Sequence, residues 1–174
     1  MALRDRVTEL AGIDLEYLPS QCDSFLLGFA QRGGASRPLA CYGYQAAKAA
    51  LWERYKDVRR LYAELQVLGN FYLDADVLWV VRYARKEMWR MIAEAGYKRW
   101  ESLDRAVIGI GSVKGEVSGL VYNKALCVDI LRSDTVASVQ DNVRRQLDAI
   151  SFIEDKVVGL DLCEYSPWFL THVK

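Results

Sequence analysis

Asp23-Ser24-Phe25-Leu26-Leu27-Gly28-Phe29-Ala30 and Asp104-Arg105-Ala106-Val107-Ile108-Gly109-Ile110-Gly111 carry one pattern twice: an aspartate, an apolar run of strand length, and a glycine in the same place within it. Further on, Glu64-Leu65-Gln66-Val67-Leu68-Gly69 is echoed by Glu154-Asp155-Lys156-Val157-Val158-Gly159. Tyr42 and Tyr122, and Leu51 and Leu131, fall between these echoes in the same order. An internal repeat sets architecture before any site is read. Each copy would expose an apolar face by itself. Two copies can cover each other's faces about a pseudo-twofold axis, as an isologous dimer does between chains.

Leu3, Val7 and Leu10 recur at helical spacing and Gly12 follows as a stop, which predicts a short first helix. The segment 13–21 reads as a linker broken at Pro19. Runs at 25–30 and 38–44, separated by turn residues at 32–36, predict an antiparallel hairpin. From Gln45 the period becomes helical, a second helical face follows through Leu68, and Gly69-Asn70 suit its end. The β-rich run at 77–81 predicts a third strand, and 84–95 a connector helix stopped by Gly96, with no counterpart in the second copy. The order then recurs: strands at 106–112 and 118–122, a short helix at 125–132, a longer one at 136–158, and a closing strand at 168–170. The expected fold class is α+β: two tandem hairpin-helix-helix-strand units with small, mostly antiparallel sheets, plus the N-terminal and connector helices. The expected divisions are 1–22, 23–81, 82–103 and 104–174.

Asp-x-x-Leu-Leu-Gly, a turn, an apolar strand ending in Tyr, a helix, Glu-x-x-Val-Leu-Gly and a short apolar strand together resemble a small module of hypothetical phage and bacterial proteins. The resemblance covers 23–80 best and 104–170 less closely. It implies Tyr-Asp at the end of the second strand, where this chain has Gly43 and Asn123 after the tyrosines. It implies a mobile-element origin and no particular activity.

The chain has 174 residues, 52% of them hydrophobic, with 23 basic and 23 acidic side chains, which describes a globular protein with a real core and no net charge. A general polyanion binder would show a basic excess. The charges divide slightly, 15 basic and 12 acidic in residues 1–100 against 8 and 11 in residues 101–174. Cys22, Cys41, Cys127 and Cys163 form no CxxC pair, so no zinc site is expected, and free thiols point to a reducing cytoplasm. The opening residues lack the apolar core of a signal peptide, and no apolar stretch approaches the roughly 20 residues that span a bilayer.

His172 is the sole histidine and stands near the carboxyl end, a poor place to hold a catalytic group rigidly. Gly109-Ile110-Gly111 is followed by Lys114 where a dinucleotide fingerprint needs its third glycine. Asp74, Asp76, Asp161 and Glu164 read as solvated loop acids, and no metal or cofactor is expected. Asp23, Asp104, Tyr42 and Tyr122 are candidates for a ligand pocket between the copies. Arg82, Lys86 and Arg90, spaced by four, would line one face of the connector helix, with Arg85, Lys98 and Arg99 beside them, as candidates for a macromolecular or nucleic-acid partner. Arg54, Lys56, Arg59 and Arg60 form a second basic group, and the five tryptophans stand mostly at core-compatible positions.

The leading expectation is a cytoplasmic, non-enzymatic binding protein: a phage-associated, anti-CRISPR-like inhibitor acting on a host protein or nucleoprotein complex. Two alternatives stand beside it. One is a small-ligand binder or enzyme, for a nucleotide for example, with its pocket between the repeats. The other is a nucleic-acid-binding protein that uses the connector helix.

Overall fold

The computed structural model describes residues 2–16, 20–32, 37–133 and 165–173. The helix read at 136–158, the echo at 154–159, Cys163, the acids Asp161 and Glu164, Pro19 and the turn residues 33–36 lie outside the described residues.

The first half runs α1 (Leu3–Ala11), a 3-10 turn (Ser20–Phe25), β1 (Leu26–Arg32), β2 (Leu39–Gly43), α2 (Tyr44–Arg54), α3 (Val58–Asp74) and β3 (Leu78–Val81). The second runs α4 (Arg85–Ala95), a 3-10 turn (Glu101–Ala106), β4 (Val107–Val113), β5 (Glu116–Asn123), α5 (Lys124–Ser133) and β6 (Trp168–His172). The connector helix α4 therefore has a counterpart in element order, which is α1. Both end at a left-handed glycine, Gly12 and Gly96, and both lead into a 3-10 turn that holds the echoed aspartate.

The expectation of separate small, mostly antiparallel sheets is overturned. All six strands form one closed barrel in the order β1-β2-β3-β4-β5-β6. β1 and β2 are antiparallel and β3 lies parallel to β2; β4 and β5 are antiparallel and β6 lies parallel to β5. Each parallel pair requires a long crossover, and in the first half α2 and α3 supply it. Two three-stranded sheets would each leave two open edges. Antiparallel seams β3–β4 and β6–β1 join those edges and leave none.

The alternation of side chains along the strands divides the core. Ala30, Cys41, Leu78, Val80, Val121, Trp168 and Leu170 fill the barrel interior. Their neighbours Tyr42 and Trp79 face outward under α1, α2 and α3, whereas Leu120, Tyr122 and Phe169 face outward under α4 and α5. A six-stranded barrel is narrow enough for side chains alone to fill it.

Helix α3 does not stop at Gly69-Asn70 but continues to Asp74. A glycine inside a helix costs about 1 kcal/mol relative to alanine. The further turn buries Phe71 and brings its ring 5.5 Å from that of Trp79, which outweighs that cost.

Buried acids of high pKa add a pH dependence. Burial raises the Cys22 thiol from 9.0 to about 11, with the charges of Asp23 and Glu64 pushing the same way and Arg4 opposing them. Burial also raises Cys127 to about 12, and moves the Cys41 thiol and the Tyr122 hydroxyl upward. A raised native pKa contributes stability that is complete below the unfolded value and is lost as pH climbs through the native one. Urea midpoints are therefore expected to be level below pH 9 and to fall from there toward pH 11. A midpoint that stays constant across that range would contradict the burial of these groups.

Candidate functional site

The strand directions bring chemistry to one rim. β2, β3, β5 and β6 end there, and β1 and β4 begin there, as the registers Gly43↔Val80, Val81↔Ile110, Asn123↔Leu170 and Gly28↔His172 require. Helices α2 and α5 start directly from this rim, after Gly43 and Asn123. Asn123 caps its own helix, its Oδ1 accepting from Leu126 N at 3.1 Å. Gly43 has no side chain to offer, so α2 begins without a side-chain cap.

A cavity of about 200 Å³ opens at the uncapped start. Leu27, Gly43, Tyr44, Gln45, Ala46, Val80, Arg82 and Ile108 line it. Leu27, Val80 and Ile108 belong to the packed barrel interior, so the cavity floor is the top layer of that core. A second hollow of about 350 Å³ shares Arg82 and Ile108 with it and adds Tyr83, Arg85 and Arg105 among its walls. Among the described residues no aspartate or glutamate lines either. The mouth thus joins an apolar well to three exposed guanidinium groups drawn from both halves.

Gln45 fixes Arg82 at this junction. Its Nε2 donates to Arg82 O at 2.8 Å and its Oε1 accepts from Arg82 N at 3.0 Å, so one amide ties the end of β3 to the first turn of α2. Tyr83 stands beside the mouth, its hydroxyl pKa raised by burial and then by the neighbouring Tyr72 and Tyr44.

The sequence candidates fall elsewhere, with two exceptions. Asp23 accepts from Arg4 Nε at 2.8 Å and Nη2 at 2.5 Å, while Arg4 Nη1 donates to Leu15 O. Asp104 receives Arg99 through two bonds, at 3.1 and 2.5 Å, and the Arg99 guanidinium lies 3.8 Å over the Trp89 ring. Each aspartate therefore holds its own half's 3-10 turn to an arginine upstream. Tyr42 and Tyr122 are fully buried in different clusters. Tyr42 packs on Phe71 and Trp79; Tyr122 stacks on Phe169 and accepts from Trp100 N at 2.8 Å. These four residues do not meet in one cleft.

The basic series is also divided. Arg82 precedes α4 and is not helical, so Arg82, Lys86 and Arg90 form no continuous helical stripe. Arg90 is engaged by Glu87 and by Glu94, the latter at 2.9 Å. Lys86 and Lys98 are exposed on the surface. Arg82 and Arg85 are the two exceptions: the fold places them in the mouth, next to Arg105, which sequence reasoning passed over. The available signal was the arginine between Asp104 and its strand, where Ser24 follows Asp23 in the first half.

Among the described residues no three His, Cys, Asp or Glu side chains group as metal ligands would, and no helix is long and apolar enough to cross a membrane. The class these observations define is a closed, mixed six-stranded barrel with a cation-rimmed mouth. Comparison with protein-family models, curated proteins and solved structures gives no match for this chain.

Proposed function

We propose that the protein binds a small organic phosphate, nucleotide-like in build, at the mouth of the barrel. The observation that carries this is the pairing of an apolar well with Arg82, Arg85 and Arg105, with no lining carboxylate among the described residues. Guanidinium forks match phosphate oxygens in geometry and charge. A base or other flat apolar body would rest on Leu27, Val80 and Ile108 between the rings of Tyr44 and Tyr83. Recognition without chemistry accounts for every group at the mouth, so the expectation of a non-enzymatic binding protein carries over into this reading. The expectation of a phage-borne inhibitor of host defence rests on the sequence resemblance and adds no residue to the site.

Calorimetric titration with nucleoside 5′-monophosphates at low salt is expected to give saturable binding. Arg82→Ala and Arg105→Ala should each weaken it about tenfold or more, because a hydrogen bond to a charged group contributes about 1.5–3 kcal/mol. Both side chains are exposed, so folding is spared. Absence of saturation at millimolar ligand would overturn the proposal, as would binding of inorganic phosphate with equal affinity.

A further inference from the structure

Tyr44 lines the mouth and also begins a track that leads away from it. Tyr44, Lys48, Trp52 and Tyr55 recur at helical spacing along one side of α2 and its end. Lys48 Nζ lies 5.4 Å over the Tyr44 ring, and the Arg60 guanidinium 5.9 Å over the Tyr55 ring. Trp52 is 63% exposed and Tyr62, on the next helix, 69%. Trp52 is one of the five tryptophans that the sequence places mostly at core-compatible positions. The fold gives that place to Ala47 and Leu51 on the adjoining side of α2.

The charge on this elbow is one-sided. Between residues 44 and 62 stand Lys48, Arg54, Lys56, Arg59 and Arg60 against Glu53 and Asp57. Asp57 is exposed as well and caps α3, its Oδ1 accepting from Arg59 N at 3.0 Å, so five cations stand against two carboxylates. Among the described residues none of these five cations is in an ion pair, in contrast to Arg90 and Arg99 of the connector region. Tyr44 and Tyr55 are half-buried against the core beneath Lys48 and Arg60, which leaves Trp52 and Tyr62 as the exposed rings. Exposed rings set among cations outside ion pairs suit a single strand of nucleic acid, whose bases stack while its phosphates follow the charge. Duplex would bury its bases and leave Trp52 unused. The apolar well at the mouth matches a strand's terminal nucleotide, and about 16 Å of helix separates it from the elbow.

Resting on the proposed mouth site, we infer that the physiological ligand is a single-stranded nucleic acid: its terminal nucleotide occupies the mouth and the following bases stack on Trp52 as the strand runs toward the α2–α3 elbow.

The test compares a nucleoside 5′-monophosphate, a 5′-phosphorylated six-nucleotide single strand and a six-base-pair duplex, each titrated against the full chain. The hexamer is expected to bind at least tenfold more tightly than the monophosphate and the duplex, with an affinity that falls steeply as salt rises. Trp52→Ala should cost the hexamer about tenfold, Trp52→Phe should restore most of that, and neither should change the monophosphate affinity. A hexamer that binds no tighter than the monophosphate overturns this inference and leaves the mouth site standing. Hexamer binding that ignores Arg82→Ala and Arg105→Ala overturns the shared site. Equal binding of duplex overturns the single-strand assignment.

Discussion

Replacing Gly28 by valine is expected to leave the chain without a cooperative unfolding transition. Gly28 stands at the irregularity between β1 and β2, where the register shifts between Leu26 and Gly28, and its φ is +154°. A side chain there is strained before any neighbour is considered. The neighbour is the Thr171 carbonyl of β6, which a Cβ would overlap, with Val173 N 3.0 Å away. That contact lies on the β1–β6 seam that closes the barrel, where Gly28 pairs with His172 and Val173 N donates to Leu27 O at 3.1 Å. Backbone cannot swing aside as a lysine tip can, so accommodation means separating the strands. The loss would include several ladder hydrogen bonds and the burial of Ala30 and Leu170, against a total stability of about 5–15 kcal/mol for a typical domain. Gly109→Val should act the same way on the other seam, since a Cβ there would lie 2.6 Å from Val81 O. Gly69→Ala is the control: nothing lies within 4 Å and the residue is inside α3, so a gain of up to about 1 kcal/mol is expected. Urea titrations followed by circular dichroism distinguish the three. A Gly28→Val protein that unfolds at the wild-type midpoint would show that the seam is not closed.

The echoed residues were legible because each answers a local constraint. Gly28 and Gly109 occur where a neighbouring strand passes too close for a side chain, and Asp23 and Asp104 pin equivalent 3-10 turns. Tyr42 and Tyr122 end equivalent strands with their rings in the core. The hairpins and helix starts follow from periodicity within a dozen residues. Closure does not. The pairings β3–β4 and β6–β1 join halves whose strand residues show the same apolar pattern whether an edge is free or matched, and the same holds for the parallel partners. The end of α3 was misplaced because Gly69 is a local stop signal, while Phe71, which overrides it, acts through Tyr42 and Trp79 from other elements. The mouth was half legible. Arg82 and Arg85 stood out by charge, but their setting depends on Arg105 and on the inward-facing Leu27 and Ile108, which only the barrel brings together.

Trp79→Ala is expected to cost about 3–5 kcal/mol, the range for truncating a large buried aromatic, and so to remove much of the domain's stability. Trp79 is wholly buried on β3, between Tyr42 on β2 and Ser112 on β4 in the ladder. Its ring contacts Tyr42 at 5.2 Å, Phe71 at 5.5 Å, Tyr72 at 6.0 Å and Tyr44 at 6.1 Å between centroids. Aromatic pairs at such spacings contribute about 0.5–1.5 kcal/mol each beyond burial. Tyr72 in turn bonds Ser112 through its hydroxyl at 2.7 Å, tying α3 to the second half's β4. An alanine would leave a cavity under α3 and loosen that tie together with the packing of Tyr44 at the mouth. Trp79→Phe separates two terms. It sacrifices volume, but it also removes an indole N–H that is buried with no hydrogen-bond partner among the described residues, a group whose desolvation costs about 1–3 kcal/mol. The terms oppose, so phenylalanine is expected to lower stability by no more than about 1.5 kcal/mol, with alanine at least twice as costly. Guanidinium titrations with an unchanged m-value would measure both. A phenylalanine variant as unstable as the alanine one would show that the indole N–H is bonded in the native protein, and that Trp79 is held by that bond rather than by the rings around it.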